Sequence, residues 1–219
     1  MKMFFKIVLL SLVSLLFVAC AKKPTPNNII SDTSMLKPSP LKEGAYYYLK
    51  KGVDFKSYNK IIISDIPVIK DNPKDVAFDE NLLNSISIYF RSELMSELNS
   101  VVNKNMGKSS LKFDVSVTSL GKEFKSLKFY QYIPVGLAIT AITRTTGIED
   151  KNLVIAIALK VTDSKTNEVL AMVVDSNVKK GFSKNQEIIF EDIKPTLDEW
   201  VEHYKTRMQE LIDNKHNNL

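Results

Sequence analysis

Between residues 79 and 102, apolar residues return at every third and fourth position: Leu82, Leu83, Ile86, Tyr89, Phe90, Leu94, Leu98, Val101 and Val102. That spacing predicts a helix with one apolar stripe. Asp79 stands where an N-cap is needed, with Phe78 and Leu83 at the staple positions and Gly107 as a stop signal. A second stripe runs through Ile193, Leu197, Trp200, Val201, Tyr204, Met208, Leu211 and Ile212, predicting a helix over 188–214. Pro195 fits that helix only within its first turn, where amide donors lack partners in any case. The single tryptophan lies on the apolar stripe and reads as core.

Elsewhere the period shortens to two. Residues 59–69, "NKIIISDIPVI", form a β-branched run that predicts an interior strand. In 111–124, Leu111, Phe113, Val115 and Val117 alternate with Lys112, Asp114, Ser116 and Thr118, a strand with one wet face and an antiparallel setting. Residues 152–163 and 168–178 alternate on either side of the turn "DSKTNE" and predict a hairpin. The small residues Ala156 and Ala158 stand on the second face of its first strand. The order strand, helix, strand, central segment, hairpin, helix predicts an α+β fold. The expectation is a small, largely antiparallel sheet with two long amphipathic helices packed on one face.

Two segments escape this scheme. Residues 29–57 mix apolar residues with Pro and Gly and carry Tyr46-Tyr47-Tyr48. They read as an irregular N-terminal arm laid over the domain; an exposed aromatic binding surface is the other reading. Residues 129–148, "FYQYIPVGLAITAITRTTGI", hold an uncharged stretch too short to span a bilayer. It reads as a buried crossover helix. The alternative is a surface for a partner subunit or for the membrane interface on Ile133, Gly136 and Leu137, with Arg144 beside it to meet a phosphate or carboxylate.

The N-terminus changes the picture most. Lys2 and Lys6 precede Ile7–Val18, an uncharged run of signal-peptide length, and Ala19 follows as a cleavage residue. Next stands Cys20, the sole cysteine among 219 residues. "LFVAC" resembles a bacterial lipobox, in which the cysteine thiol takes a diacylglyceryl group. Phe17 stands at the place usually held by leucine, with Leu16 one position earlier. An ordinary signal peptide with a chance cysteine, or an N-terminal membrane anchor, is the competing reading. Acylation accounts for a lone thiol in an exported chain that has no partner for a disulfide. Two or three acyl chains hold firmly where one binds marginally. The division is then a signal peptide over 1–19, a lipidated cysteine and polar tether over 20–28, and one periplasmic domain over 29–219. Ala21 is not the Asp that resembles an inner-membrane retention signal, so the expected address is the outer membrane, facing the periplasm.

Composition excludes more than it reveals. The formal charge of +5 falls to +3 without Lys2 and Lys6, too mild a balance to point to nucleic acid. His203 and His216 have no partners at metal-ligand spacing. No nucleophile elbow, zinc-protease helix motif, P-loop or dinucleotide fingerprint is present. Acids at Glu149-Asp150, Glu191-Asp192 and Asp198-Glu199-Glu202 read as helix-start and surface groups. The expectation is no catalytic residue, no metal and no cofactor.

Four stretches together carry a family resemblance: "ISDTSMLKPSPLKEGAYYYLKKGVDFKSYNKIIISDIPVI", "YIPVGLAITA", "LVIAIALKVTDSKTNEVLAMVVD" and "IKPTLDEWVEHYKTRMQELID". They resemble a family of bacterial lipoproteins known as domain of unknown function three-three-one-three. Thr33 stands in Ser31-Asp32-Thr33 where the pattern has an aromatic residue. The resemblance implies an envelope lipoprotein and brings no catalytic residues. The expected function is a lipid-anchored, non-enzymatic binding or assembly accessory. The expected partners are the membrane, held through the N-terminal lipid, and an envelope protein or a second copy of the chain, with no nucleic acid. The alternative is a subunit of an oligomeric envelope or secretion assembly whose strands, such as 111–124, pair between chains. A cell-wall hydrolase is the enzymatic rival.

Overall fold

The computed structural model describes residues 29–42, 44–70, 78–121, 151–182 and 187–213. It contains strands β1 (Lys37–Pro38), β2 (Tyr46–Leu49), β3 (Tyr58–Ile63) and β4 (Val68–Lys70), helix α1 (Glu80–Val102), strands β5 (Ser109–Gly121), β6 (Lys151–Asp163) and β7 (Val169–Phe182), and helix α2 (Phe190–Ile212). The strands form one seven-stranded sheet in the order β1-β2-β7-β6-β5-β3, with β4 also on β5. Strands β3 and β4 run parallel to β5; the remaining pairings are antiparallel.

The α+β class stands, but the expected small, largely antiparallel sheet is corrected to a large mixed one. Two physical reasons account for the difference. First, the arm over 29–57 is not wholly irregular: Tyr46–Leu49 pairs with Ala171–Val174 of β7, and Lys37–Pro38 pairs with β2. Second, α1 is a crossover. It carries the chain back so that β5 starts beside the start of β3, and a parallel pair needs such a long connection. The run 59–69 is accordingly an edge, broken at 64–67, and not an interior strand. Strand β5 is interior, bonded to β3 and β4 on one side and β6 on the other. Its backbone is therefore not free to pair between chains.

Both helices pack on one face of the sheet, as expected. Leu111, Phe113 and Val115 of β5 and Ile155, Ile157 and Leu159 of β6 meet Phe90, Leu94, Leu98, Leu197 and Trp200 in the main core. Asp79 caps α1, its carboxylate accepting from the Leu82 amide at 2.7 Å. At α2, the Asp192 carboxylate reaches back to the Ile189 amide at 3.1 Å. Pro195 lies inside α2, in its second turn and not the first, so the Glu191 carbonyl loses the amide donor it would otherwise receive. In β7 the register steps past Leu170, which makes a bulge that turns Leu170 and Ala171 toward the helices together.

The opposite face is covered by the arm. Ile30, Leu36 and Tyr46 pack there against Ala158, Met172 and Val174. The short side chain of Ala158, fully buried, leaves room for the arm to lie close to the sheet.

The exposed side of β3 is closed by a side chain acting as a strand. The Ile61 amide donates to Asn99 Oδ1 at 2.8 Å, and Asn99 Nδ2 donates to the Ile61 carbonyl at 3.4 Å and the Met95 carbonyl at 2.8 Å. This satisfies edge groups that would otherwise invite another chain. Asn99→Ala is expected to lower stability by ~1–2 kcal/mol, because the Ile61 amide loses its acceptor while half-buried. Urea unfolding measures it, and a change below ~0.5 kcal/mol would show that water replaces the amide without cost.

Candidate functional site

The most concentrated polar chemistry in the described residues lies where α2 crosses β7. In β7, Ala171, Val173 and Asp175 alternate onto the helix face, so a carboxylate follows two apolar residues into the interior. Asp175 is 6% exposed. Such a charge is costly unless paired and hydrogen-bonded. Here Oδ2 accepts from Trp200 Nε1 and from Lys42 Nζ, each at 2.9 Å, and Oδ1 accepts from the Ser176 amide at 2.7 Å. Lys42 arrives from the arm, between β1 and β2, and so ties the arm to the core by charge.

One turn beyond Trp200 stands Tyr204, 7% exposed, whose hydroxyl is buried with no hydrogen-bond partner among the described residues. Burial, reinforced by the Asp175 carboxylate, pushes its pKa well above the ordinary tyrosine value. Tyr204 therefore keeps its proton and remains a donor. It borders a cavity of about 130 Å³. The walls are largely apolar, from β2, Ala171, Val173 and Leu211, and Lys42, His203, Arg207 and Glu210 stand around the cavity. Arg207 and Glu210 form an ion pair across one turn. The imidazole of His203 is held below its ordinary pKa by partial burial and by the Arg207 cation, which favours the neutral ring.

A second concavity, a groove of about 1030 Å³, runs between α1 and the break in the edge strand, past Asp65, Ile88 and Arg91. It is larger, but its charged groups are at least partly exposed. The smaller cavity combines a buried carboxylate, a buried hydroxyl and apolar walls, the mixture expected of a ligand site. Its chemistry suits holding a molecule. Asp175 is fastened by three donors and Tyr204 stays protonated, so neither is a poised base.

Cys20 and the proposed partner surface of Ile133, Gly136, Leu137 and Arg144 lie outside the described residues, as do His216 and Glu149-Asp150. His203 stands at the rim of the smaller cavity on the solvent side of α2, with its ring only partly covered. The acids of α2 do structural work: Asp198 accepts from Tyr89 and Lys194, and Glu199 from Asn177. Among the described residues, no group of three or more His, Cys, Asp or Glu is placed to hold a metal. No described helix is long and apolar enough to cross a membrane. Asp175 and Tyr204 escaped the sequence reading as functional residues. The available signal was Asp175 at period two from Ala171 and Val173, an acid in register with an apolar face.

The sequence matches no curated protein. Its structure aligns with several solved bacterial proteins at low similarity. A PelC dodecamer from Paraburkholderia phytofirmans is 9% identical, with a TM-score of 0.34 over 69% of this chain and 96% of that one. A Xanthomonas campestris protein of the DUF330 family is 9% identical, with a TM-score of 0.40 over 89% and 97%. Lipoprotein GNA1162 from Neisseria meningitidis is 13% identical, with a TM-score of 0.29 over 68% and 96%. Likeness at this level assigns neither function nor assembly. The sequence model described as "Protein of unknown function (DUF3313)" matches residues 25–204, a span that takes in every described strand, all of α1, and α2 as far as Tyr204. The chain belongs to the DUF3313 family.

Proposed function

We propose that this chain is a lipid-anchored lipoprotein of the bacterial cell envelope that acts by binding, without catalysis, as an accessory to other envelope components. The observation that carries the reading is Ile7–Val18 followed by Ala19-Cys20, an export signal ending in the chain's one thiol. The cavity beside Asp175 and Tyr204 supports the binding part, because its groups are arranged to hold and not to activate. The finer address is the outer membrane, supported by Ala21 in place of an acid.

Cys20→Ser tests the anchor. In cells fed labelled palmitate, the native chain is expected to take up label and the variant none, with the uncleaved precursor accumulating. Label in the variant would overturn the lipid assignment. Density-gradient separation of the two membranes then tests the address. Recovery of acylated protein with inner-membrane markers would refute the outer-membrane placement and leave the anchor standing.

A further inference from the structure

The edge of the sheet away from β3 holds a third concavity, a groove of about 700 Å³. It exists because β1 is only two residues long. Lys37 and Pro38 pair with Tyr47 and Tyr46, and no described strand lies outside Tyr48 and Leu49. Met35, Tyr47 and Tyr48 give the groove apolar and aromatic surface, and Lys37, Lys50 and Lys51 give it charge. No acid is among the described residues that line it. Lys50 is paired with Glu168, whereas Lys37 and Lys51 are exposed and have no ion-pair partner among the described residues. Asp54 and Lys56, which flank Phe55 in sequence, offset each other.

Where the chain enters the domain bears on what this groove faces. Ile29, the first described residue, packs against the same cluster under the arm as Tyr48. The tether of the proposed lipid anchor therefore joins the domain beside the groove. Residues 20–28 reach at most roughly 30 Å when fully extended. Lys22 and Lys23 on that tether carry charge of the same sign. Lysines mixed with tyrosines and an exposed methionine suit the headgroup layer of an anionic bilayer, where amphipathic rings settle and each cation adds attraction. An added β-strand is the other occupant that an open edge invites, but lysines on an edge oppose it.

We propose that this groove is the membrane-facing surface of the domain and seats it on anionic phospholipid headgroups. Lys37 and Lys51 meet phosphate, and Met35, Tyr47 and Tyr48 lie at the headgroup boundary. The inference rests on the lipid anchor of the reading above: the anchor brings the domain to the bilayer, and the groove sets which side faces it. At about fivefold per lysine, Lys37 and Lys51 together favour this orientation by roughly 25-fold on an anionic surface.

Cys20 carries the lipid in this reading, so one added cysteine supplies a single thiol for a fluorescent label. The label is placed at Met35→Cys, in the groove, or at Ile88→Cys, an exposed position on α1 by the opposite edge of the sheet and roughly 20 Å away. The acylated protein is reconstituted in vesicles of phosphatidylcholine, with or without phosphatidylglycerol, that contain a lipid bearing a quencher on its headgroup. On phosphatidylglycerol vesicles, position 35 is expected to be strongly quenched and position 88 hardly at all. Phosphatidylcholine alone, or salt at about 0.5 M, should remove most of that difference. Lys37→Glu combined with Lys51→Glu changes two exposed side chains, so this variant should keep the native circular dichroism spectrum. Its quenching at position 35 should fall to that at position 88. The proposal is overturned if the acylated protein is quenched alike at the two positions on phosphatidylglycerol vesicles, if position 35 is quenched equally on both kinds of vesicle, or if the charge reversal changes nothing. Equal and low quenching would turn the groove toward a soluble partner instead. Mass spectrometry of the same protein separates this failure from that of the anchor. A chain without acyl groups overturns the anchor and this inference together, and an acylated chain with equal quenching overturns this inference alone.

Discussion

Trp200→Ala is expected to lower stability by about 3–5 kcal/mol, the range for removing a large buried aromatic side chain. Trp200 is 1% exposed and packs against Phe90 with ring centroids 6.2 Å apart, so it joins the two helices at the centre of the core. Its removal does a second kind of damage. The indole N–H is one of three donors to the buried Asp175 carboxylate, and a buried charge that loses a donor is destabilised beyond the packing loss. A domain of this size has roughly 5–15 kcal/mol in total, so the alanine variant should stand near the edge of folding. Trp200→Phe separates the two contributions. It keeps most of the aromatic packing and loses the donor, and should cost about 1–3 kcal/mol. Urea unfolding followed by circular dichroism measures both, since the fluorophore is gone. A loss below ~1.5 kcal/mol for the alanine variant would mean that the helices close over the gap without it.

Gly107→Ala is expected to cost about 3 kcal/mol or more, at the upper end for overpacking. A Cβ at this position would lie 2.1 Å from both the carbonyl carbon and the carbonyl oxygen of Ser57. Both atoms are backbone, so no side chain can rotate aside. Ser57 belongs to the 3-10 turn Phe55–Ser57 that leads directly into β3. The approach is further fastened by Asn105, whose Nδ2 donates to the carbonyls of Tyr58 at 2.8 Å and Phe55 at 3.3 Å. An added methyl group must therefore push the entry to β3 away from the entry to β5. Gly52→Ala is the control. Gly52 has φ +76° and nothing within 4 Å of an added Cβ, so its substitution should cost only the ~1–2 kcal/mol of a left-handed backbone. Equal melting temperatures for the two variants would contradict the steric account.

Side-chain patterning was enough for the two helices, the Asp79 cap and the β6–β7 hairpin, because their signals are local. A stripe at spacings of three and four has one good solution, and a short polar turn joins neighbours. It was not enough for Tyr46–Leu49. Strands pair through backbone groups that every residue carries, so nothing in "YYYL" announces β7 as its partner. The same holds for the edge position of 59–69. A β-branched run buries one side under α1 whether or not another strand follows, and the Asn99 amide takes the place of that strand from within a helix.

By itself the sequence determined the helix faces, the hairpin, the α+β class and the resemblance to the DUF3313 family. It also supplied the uncharged run Ile7–Val18 ahead of Ala19-Cys20, on which the proposed anchor rests. Those features depend on residues near one another in the chain. Only the tertiary structure decided the size and mixed direction of the sheet, the contact of Gly107 with Ser57, and the cavity at Tyr204. There Lys42 meets an acid 133 residues away, and a tyrosine on a regular apolar stripe proves to have an oxygen without a partner among the described residues. A stripe shows that a side chain turns inward; whether a polar atom at its tip finds a partner depends on what the rest of the chain brings to that point in space.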